Sequence, residues 1–141
     1  MKRIVVDTSV LIRYLIRPSV AVRELIEERW LGDRVLMGSC PELIQELEGV
    51  LARPAIRTFV HPNEGQALLD TVRSKAEFLP PLGEIPSFTR DSKDDKFVAC
   101  ALVGEVAFVV TLDKDILALQ ELTGVQMVTP DELLRALDGL E

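Results

Sequence analysis

Strands alternating with helices along the whole chain predict a three-layer α/β/α sandwich with a central parallel sheet of about four to five strands. Three observations carry this expectation. Residues 3–6 and 106–111 are short apolar runs without polar alternation, the pattern of parallel strands covered on both faces. The segments between such runs are amphipathic with helical period. Proline or glycine marks many of the joints.

Taken in order, residues 3–6 form the first strand and 9–16 a helix, with Pro18-Ser19 as punctuation. Val22, Leu25, Ile26 and Trp30 lie on one face of a second helix that Gly32-Asp33 ends. "RVLM" (34–37) is a second strand, and "PELIQELEGVL" (41–51) is a helix with proline at its start. "RPAIRTFV" contains a short helical piece, and Pro62 opens a helix running to about Phe78, with room for a brief strand around 78–80. "LPPLGEIPS" (79–87) is loop-like. "DSKDDKFVACALVG" reads as a helix, "VAFVVT" (106–111) as a buried strand and "KDILALQEL" as a short helix. "VQMVT" (125–129) is the last strand, and Pro130 begins the C-terminal helix. No internal repeat or low-complexity tract interrupts the pattern.

At 141 residues, one domain over positions 1–141 with a sizeable core is expected. An apolar fraction of 48% speaks against disorder. No apolar run approaches the roughly 18 residues that span a bilayer. Lys2-Arg3 with an early Asp is not a signal peptide, so a cytoplasmic location is expected. Cys40 and Cys100 read as small buried hydrophobes in a reducing compartment. The net charge of −7 argues against a nonspecific nucleic-acid coat protein, which needs a basic surface. It leaves room for a nuclease, whose clustered carboxylates take cations that reverse the local charge.

The acids fall where such a sheet builds sites, at the carboxyl ends of its strands. Asp7, followed by Thr8 and Ser9, comes one step after the first strand. Thr111-Leu112-Asp113-Lys114-Asp115 follows the second buried strand. One such Asp is readily explained as a helix cap; two on one edge are harder to explain so. A third cluster, Asp91-Ser92-Lys93-Asp94-Asp95, heads the helix leading into 106–111. At about 100° per residue, Asp94 lies near the middle of the face made by Phe97, Val98, Ala101 and Leu102, and Asp95 roughly 90° to one side. On 41–51, Glu46 and Glu48 border the apolar face about equally, Glu42 points away, and periodicity does not choose between the first two.

The set "VVDTSVLI", "CPELIQELEGVLARP", "RDSKDDKFVACAL" and "VVTLDKDIL", in order over nearly the whole chain, resembles the PIN domain family of metal-dependent ribonucleases. It is most similar to the branch of toxins from toxin–antitoxin pairs. The resemblance implies a catalytic and metal-binding quartet of Asp7, Glu46, Asp94 and Asp113. Asp7 matches the family's strand–Asp-Thr-Asn acid, Glu46 the acid of its third helix, and Asp94 the acid opening its Asp-rich helix. Asp113 and Thr111 match Thr-x-Asp. Thr8, Ser9, Asp95, Thr111 and Asp115 are supporting candidates, with Asp95 able to replace or assist Asp94. Ser9 departs from the family's asparagine, but a hydroxyl can still hydrogen-bond a carboxylate.

The resemblance further implies Mg²⁺ or Mn²⁺, hard cations suited to carboxylate oxygens, and cleavage of RNA to 5′-phosphate and 3′-hydroxyl ends. Its implied partners are the RNA, a cognate antitoxin protein and a second copy of the chain. A PIN nuclease of RNA processing without an antitoxin is the alternative. Arg13, Arg17, Arg53, Lys93, Lys96 and Lys114 flank the motifs and could grip RNA. Other chemistries fit less well. His61 reads as a turn residue before Pro62, and zinc ligands and a phosphate-binding Gly-Lys loop are missing from the sequence. A phosphatase of the haloacid-dehalogenase kind needs an acid at position 9, which is serine. A phosphate-receiver module would carry its acid after a middle strand, and a non-catalytic RNA-binding scaffold should have lost part of the quartet.

Overall fold

In the computed structural model, which describes residues 1–79, 98–102, 104–120 and 124–140, five strands make one parallel sheet. These are β1 (Lys2–Val6), β2 (Val35–Ser39), β3 (Glu77–Phe78), β4 (Phe108–Val110) and β5 (Met127–Val128), in the order β3-β2-β1-β4-β5. The helices are α1 (Thr8–Leu15), α2 (Val20–Arg23), α3 (Pro41–Leu51), α4 (Pro54–Arg57), α5 (Pro62–Lys75), α6 (98–102), α7 (Lys114–Leu117) and α8 (Pro130–Leu140).

Period-two alternation divides the central strands between two cores. Ile4, Val6, Val35, Met37 and Val110 join the apolar residues of α1, α2, α5 and α8, with Trp30 fully buried among them. Val5, Val109 and Met127 join α6 and α7 on the other face. Helix α3 serves both, with Ile44 and Leu47 in the first core and Leu43 in the second. Burial on both faces explains why the strand sequences show no alternation.

The topology sets the position of the site. The chain winds outward from β1 through β2 to β3, then returns to lay β4 on the opposite side of β1. The crevice between the ends of β1 and β4 is therefore a switch point, where open α/β sheets bind ligands. Val6 pairs with Val110, so the next residues, Asp7 and Thr111, leave the sheet at one level. The Asp7 N–H donates to the Val110 carbonyl at 2.8 Å and fixes that level.

Several boundaries differ from the sequence expectation for local reasons. The helix from Pro62 stops at Lys75, because Glu77 and Phe78 pair with Gly38 and Ser39 as β3. The expected strand 106–111 contracts to Phe108–Val110, although Ala107 still donates to Arg3 and Thr111 to Val128. The second helix does not stay α-helical. After Arg23 it widens into a π-helix over Glu24–Trp30, and Leu31 and Arg34 donate to the carbonyls of Ile26 and Arg29, five residues back. Asp33 then takes a left-handed conformation, φ 60°, and pairs with Lys75 at 2.5 Å. The loop expected at 79–87 and the helix start at 91–97 fall largely outside the described residues.

Cys40 and Cys100 are free and buried, as their apolar surroundings imply. They also touch. A hydrogen bond from Cys100 holds the Cys40 thiol below its ordinary value, while the same contact and burial push the Cys100 thiol up. Glu42, which helical periodicity turns away from the apolar face, is half-buried beside them.

Gly32, in the turn after the π-helix, and Gly49, on α3, give opposite expectations. A Cβ at Gly32 would lie 2.1 Å from the Glu28 carbonyl oxygen, so the backbone would have to move. A Cβ at Gly49 would meet nothing within 4 Å. Gly49→Ala should stabilise the fold by about 0.5–1 kcal/mol, and Gly32→Ala should destabilise it by about 1–3 kcal/mol. Urea denaturation of the two variants measures both signs, with the denaturant slope unchanged.

Candidate active site at the carboxyl edge of the sheet

Asp7 follows β1 and precedes the first turn of α1, where a cap would sit, yet its side chain makes no capping hydrogen bond of regular geometry. It is 5% exposed. Ser9 Oγ donates to its Oδ2 at 2.6 Å and Thr111 Oγ1 donates to the same oxygen at 2.7 Å. The Ser9 backbone N–H also hydrogen-bonds the carboxylate. Burial raises the carboxyl pKa above its ordinary value of 3.8 and the nearby Asp113 charge adds to the rise, while the two hydroxyls oppose it.

The hydroxyls also bind the loop after β4. Thr111, fully buried, accepts from the Asp113 N–H at 2.9 Å while donating to Asp7. Ser9 Oγ accepts from the Leu112 N–H at 3.2 Å. Serine thus links the acid to the facing loop despite replacing the asparagine of the motif it resembles. Asp113 is half-buried and caps α7, its Oδ1 accepting from the Asp115 N–H at 2.8 Å. Capping and a place in the acidic site coincide in this residue. Asp115 is exposed and its backbone supplies that capping donor.

Side-chain contacts separate the two glutamates that periodicity leaves tied. Glu46 is half-buried, and Thr8 Oγ1 reaches its Oε2 at 3.4 Å, from the residue next to Asp7. Glu48 is exposed and pairs with Arg73 of α5 at 2.7 Å. Asp7, Thr8, Ser9, Glu46, Thr111 and Asp113 therefore gather at one sheet edge. Among the described residues no three acidic, histidine or cysteine side chains are close enough to hold a metal ion by themselves. Asp94 and Asp95 lie outside the described residues, as do Lys93 and Lys96. His61 is the exposed turn residue its sequence context implies, its Nδ1 accepting from the Asn63 N–H at 3.0 Å.

Sequence reasoning passed over Leu112. This large apolar side chain stands 39% exposed between Thr111 and Asp113. The available signal was a leucine carried past the end of a buried strand, between two polar site residues.

A family model described as PIN domain matches residues 3–115. The chain belongs to the PIN domain family. PIN domains are generally nucleases. The fold is similar to three solved structures. PAE2754 from Pyrobaculum aerophilum has a TM-score of 0.64 at 20% identity, covering 98% of this chain and 90% of that one. VapBC2 from Rickettsia felis, bound to a DNA fragment from their promoter, has 0.60 at 12% identity, covering 89% and 96%. The PIN domain endonuclease Utp24 has 0.52 at 14% identity, covering 89% and 82%. A search of curated protein sequences gave no match.

The burial of Asp7 has a consequence for stability. Asparagine in its place can present its carbonyl oxygen to Ser9 and Thr111 and carries no charge. A buried carboxylate with a raised pKa stabilises the fold while protonated and loses that contribution as pH rises from 3.8 through its raised value. The melting temperature of Asp7→Asn without divalent ions should therefore match the parent in acid and equal or exceed it at neutral pH. Thermal melts across pH check this PIN domain directly. An unfolded Asp7→Asn variant would make the carboxylate a structural element instead.

Proposed function

We propose that this PIN domain is a metal-dependent endoribonuclease, a single domain over residues 1–141 that acts in the cytoplasm as the toxin of a toxin–antitoxin pair. The observation carrying this reading is that β1 and β4 deliver Asp7 and Asp113 to one switch point, joined through Thr111. The donor set fits a hard cation. Its oxygens are carboxylate, both hydroxyls that hold its most buried acid use Oδ2, and like charges close together favour bound metal. Asp7, Glu46, Asp94 and Asp113 would hold Mg²⁺ or Mn²⁺. When bound, the ion supplies an activated water and offsets charge on the scissile phosphate and leaving oxygen.

The chain's own residues prepare this chemistry. Ser9 and Thr111 hold the Asp7 carboxylate in one orientation, and Thr111 ties the Asp113 backbone to it. Thr8 reaches towards Glu46 from the first turn of α1. With an overall charge of −7, attraction of RNA depends on cations beside the site rather than on the whole surface.

Similarity in fold to VapBC2, a complex bound to promoter DNA, supports an antitoxin protein as partner. Dimerisation belongs to the same reading. Similarity in fold to the endonuclease Utp24 supports nuclease activity, which the second reading, a nuclease of RNA processing without an antitoxin, shares.

The test is cleavage of RNA by the purified chain with Mg²⁺ or Mn²⁺ and with EDTA. Cleavage should need the cation. Asp7→Asn and Asp113→Asn should each lower the rate roughly a thousandfold. Glu46→Gln should do far more damage than Glu48→Gln, whose parent residue is committed to Arg73. Cleavage that persists in EDTA would overturn the metal mechanism.

A further inference from the structure

Beside Asp7 lies an open groove of about 320 Å³ lined by Ser9, Ile12, Arg13, Ile16 and Leu112. We propose that this groove is a nucleotide subsite, holding the base and ribose next to the scissile phosphate against Ile12, Ile16 and Leu112, with Arg13 on the adjoining phosphate. The proposal rests on the nuclease reading above and adds a substrate-binding surface to it.

Four observations carry it. The groove is continuous with the acidic site, because Ser9 lines it and donates to Asp7. Its volume is at the lower end of the roughly 300–1,000 Å³ typical of ligand sites, which suits one nucleotide better than several. Leu112 projects into solvent from a backbone pinned by its N–H to Ser9, so a large apolar surface is held rigidly where substrate must pass. Arg13, one helical turn after Ser9, is exposed and has no carboxylate partner among the described residues. Arg3, Arg29, Arg73 and Lys75 are all paired.

The composition of the groove also specifies how it would read RNA. A guanidinium grips a phosphate oxygen pair whatever the base. Aliphatic walls bury a base face without contacting its hydrogen-bonding edges. Ser9, the other polar lining residue, already uses its hydroxyl on Asp7 and Leu112. The subsite should therefore strengthen binding while tolerating any base.

Fluorescence anisotropy with a short labelled single-stranded RNA of mixed sequence tests this, using Asp113→Asn as the parent to stop turnover. Arg13→Ala should weaken binding about tenfold and lower the slope of log affinity against log salt by about 0.7. Leu112→Ala should weaken binding and leave that slope unchanged. Arg57→Ala, an exposed cation on α4, should do neither. In the cleaving chain, Arg13→Ala should raise KM with kcat nearly intact, the mark of uniform binding. If the parent binds RNA and Arg13→Ala binds it with the same affinity and slope, the subsite is wrong. The groove would then be free to dock a protein segment. If the unmodified chain neither binds nor cleaves RNA, the nuclease reading itself fails.

Discussion

The hydrogen bond from Thr111 to Asp7 is the interaction on which the candidate site depends. It joins the ends of two parallel strands that are far apart in sequence, at 2.7 Å and fully out of solvent on the threonine side. A buried carboxylate is costly unless its oxygens are hydrogen-bonded. Thr111 meets part of that cost and also accepts from the Asp113 backbone, so orienting the first acid places the chain carrying the second. Ser9 repeats the arrangement from α1 through Leu112. Both hydroxyls use Oδ2 of Asp7, so neither competes with a ligand for Oδ1.

This arrangement needs the sheet beneath it. Register between Val6 and Val110 sets the two strand ends level, and the double-sided core of Ile4, Val5, Val109 and Val110 keeps them so. The resulting edge concentrates negative charge, with burial and Asp113 both raising the Asp7 pKa. Electrostatic self-repulsion of this kind is relieved by proton uptake or by a cation. A nuclease site would use the cation, and the exposed Arg13 and Leu112 would give the same edge the substrate surface proposed above.

Much of this was legible in the chain. Uninterrupted apolar runs at 3–6 and 106–111 can be parallel strands, and the acids following them were visible as charges placed directly after buried segments. Other features depend on information that periodicity lacks. Glu46 and Glu48 flank the α3 stripe equally, so periodicity cannot separate them; the motif resemblance picks Glu46, and the neighbours on α1 and α5 give the two different contacts. The widening of the second helix involves bonds five residues apart and has no signature in an apolar pattern of three and four. A two-residue strand such as β3 is made by its partner Gly38-Ser39 rather than by its own composition. The contact between Cys40 and Cys100 likewise comes from packing α3 against α6.

Anomalous diffraction from a crystal of the chain soaked in Mn²⁺ tests the central claim most directly. A manganese peak is expected against Oδ1 of Asp7, on the side facing Asp113, with Ser9 and Thr111 still donating to Oδ2. A peak on Oδ2 with the hydroxyls displaced, or Mn²⁺ bound elsewhere with Asp7 unliganded, would contradict it.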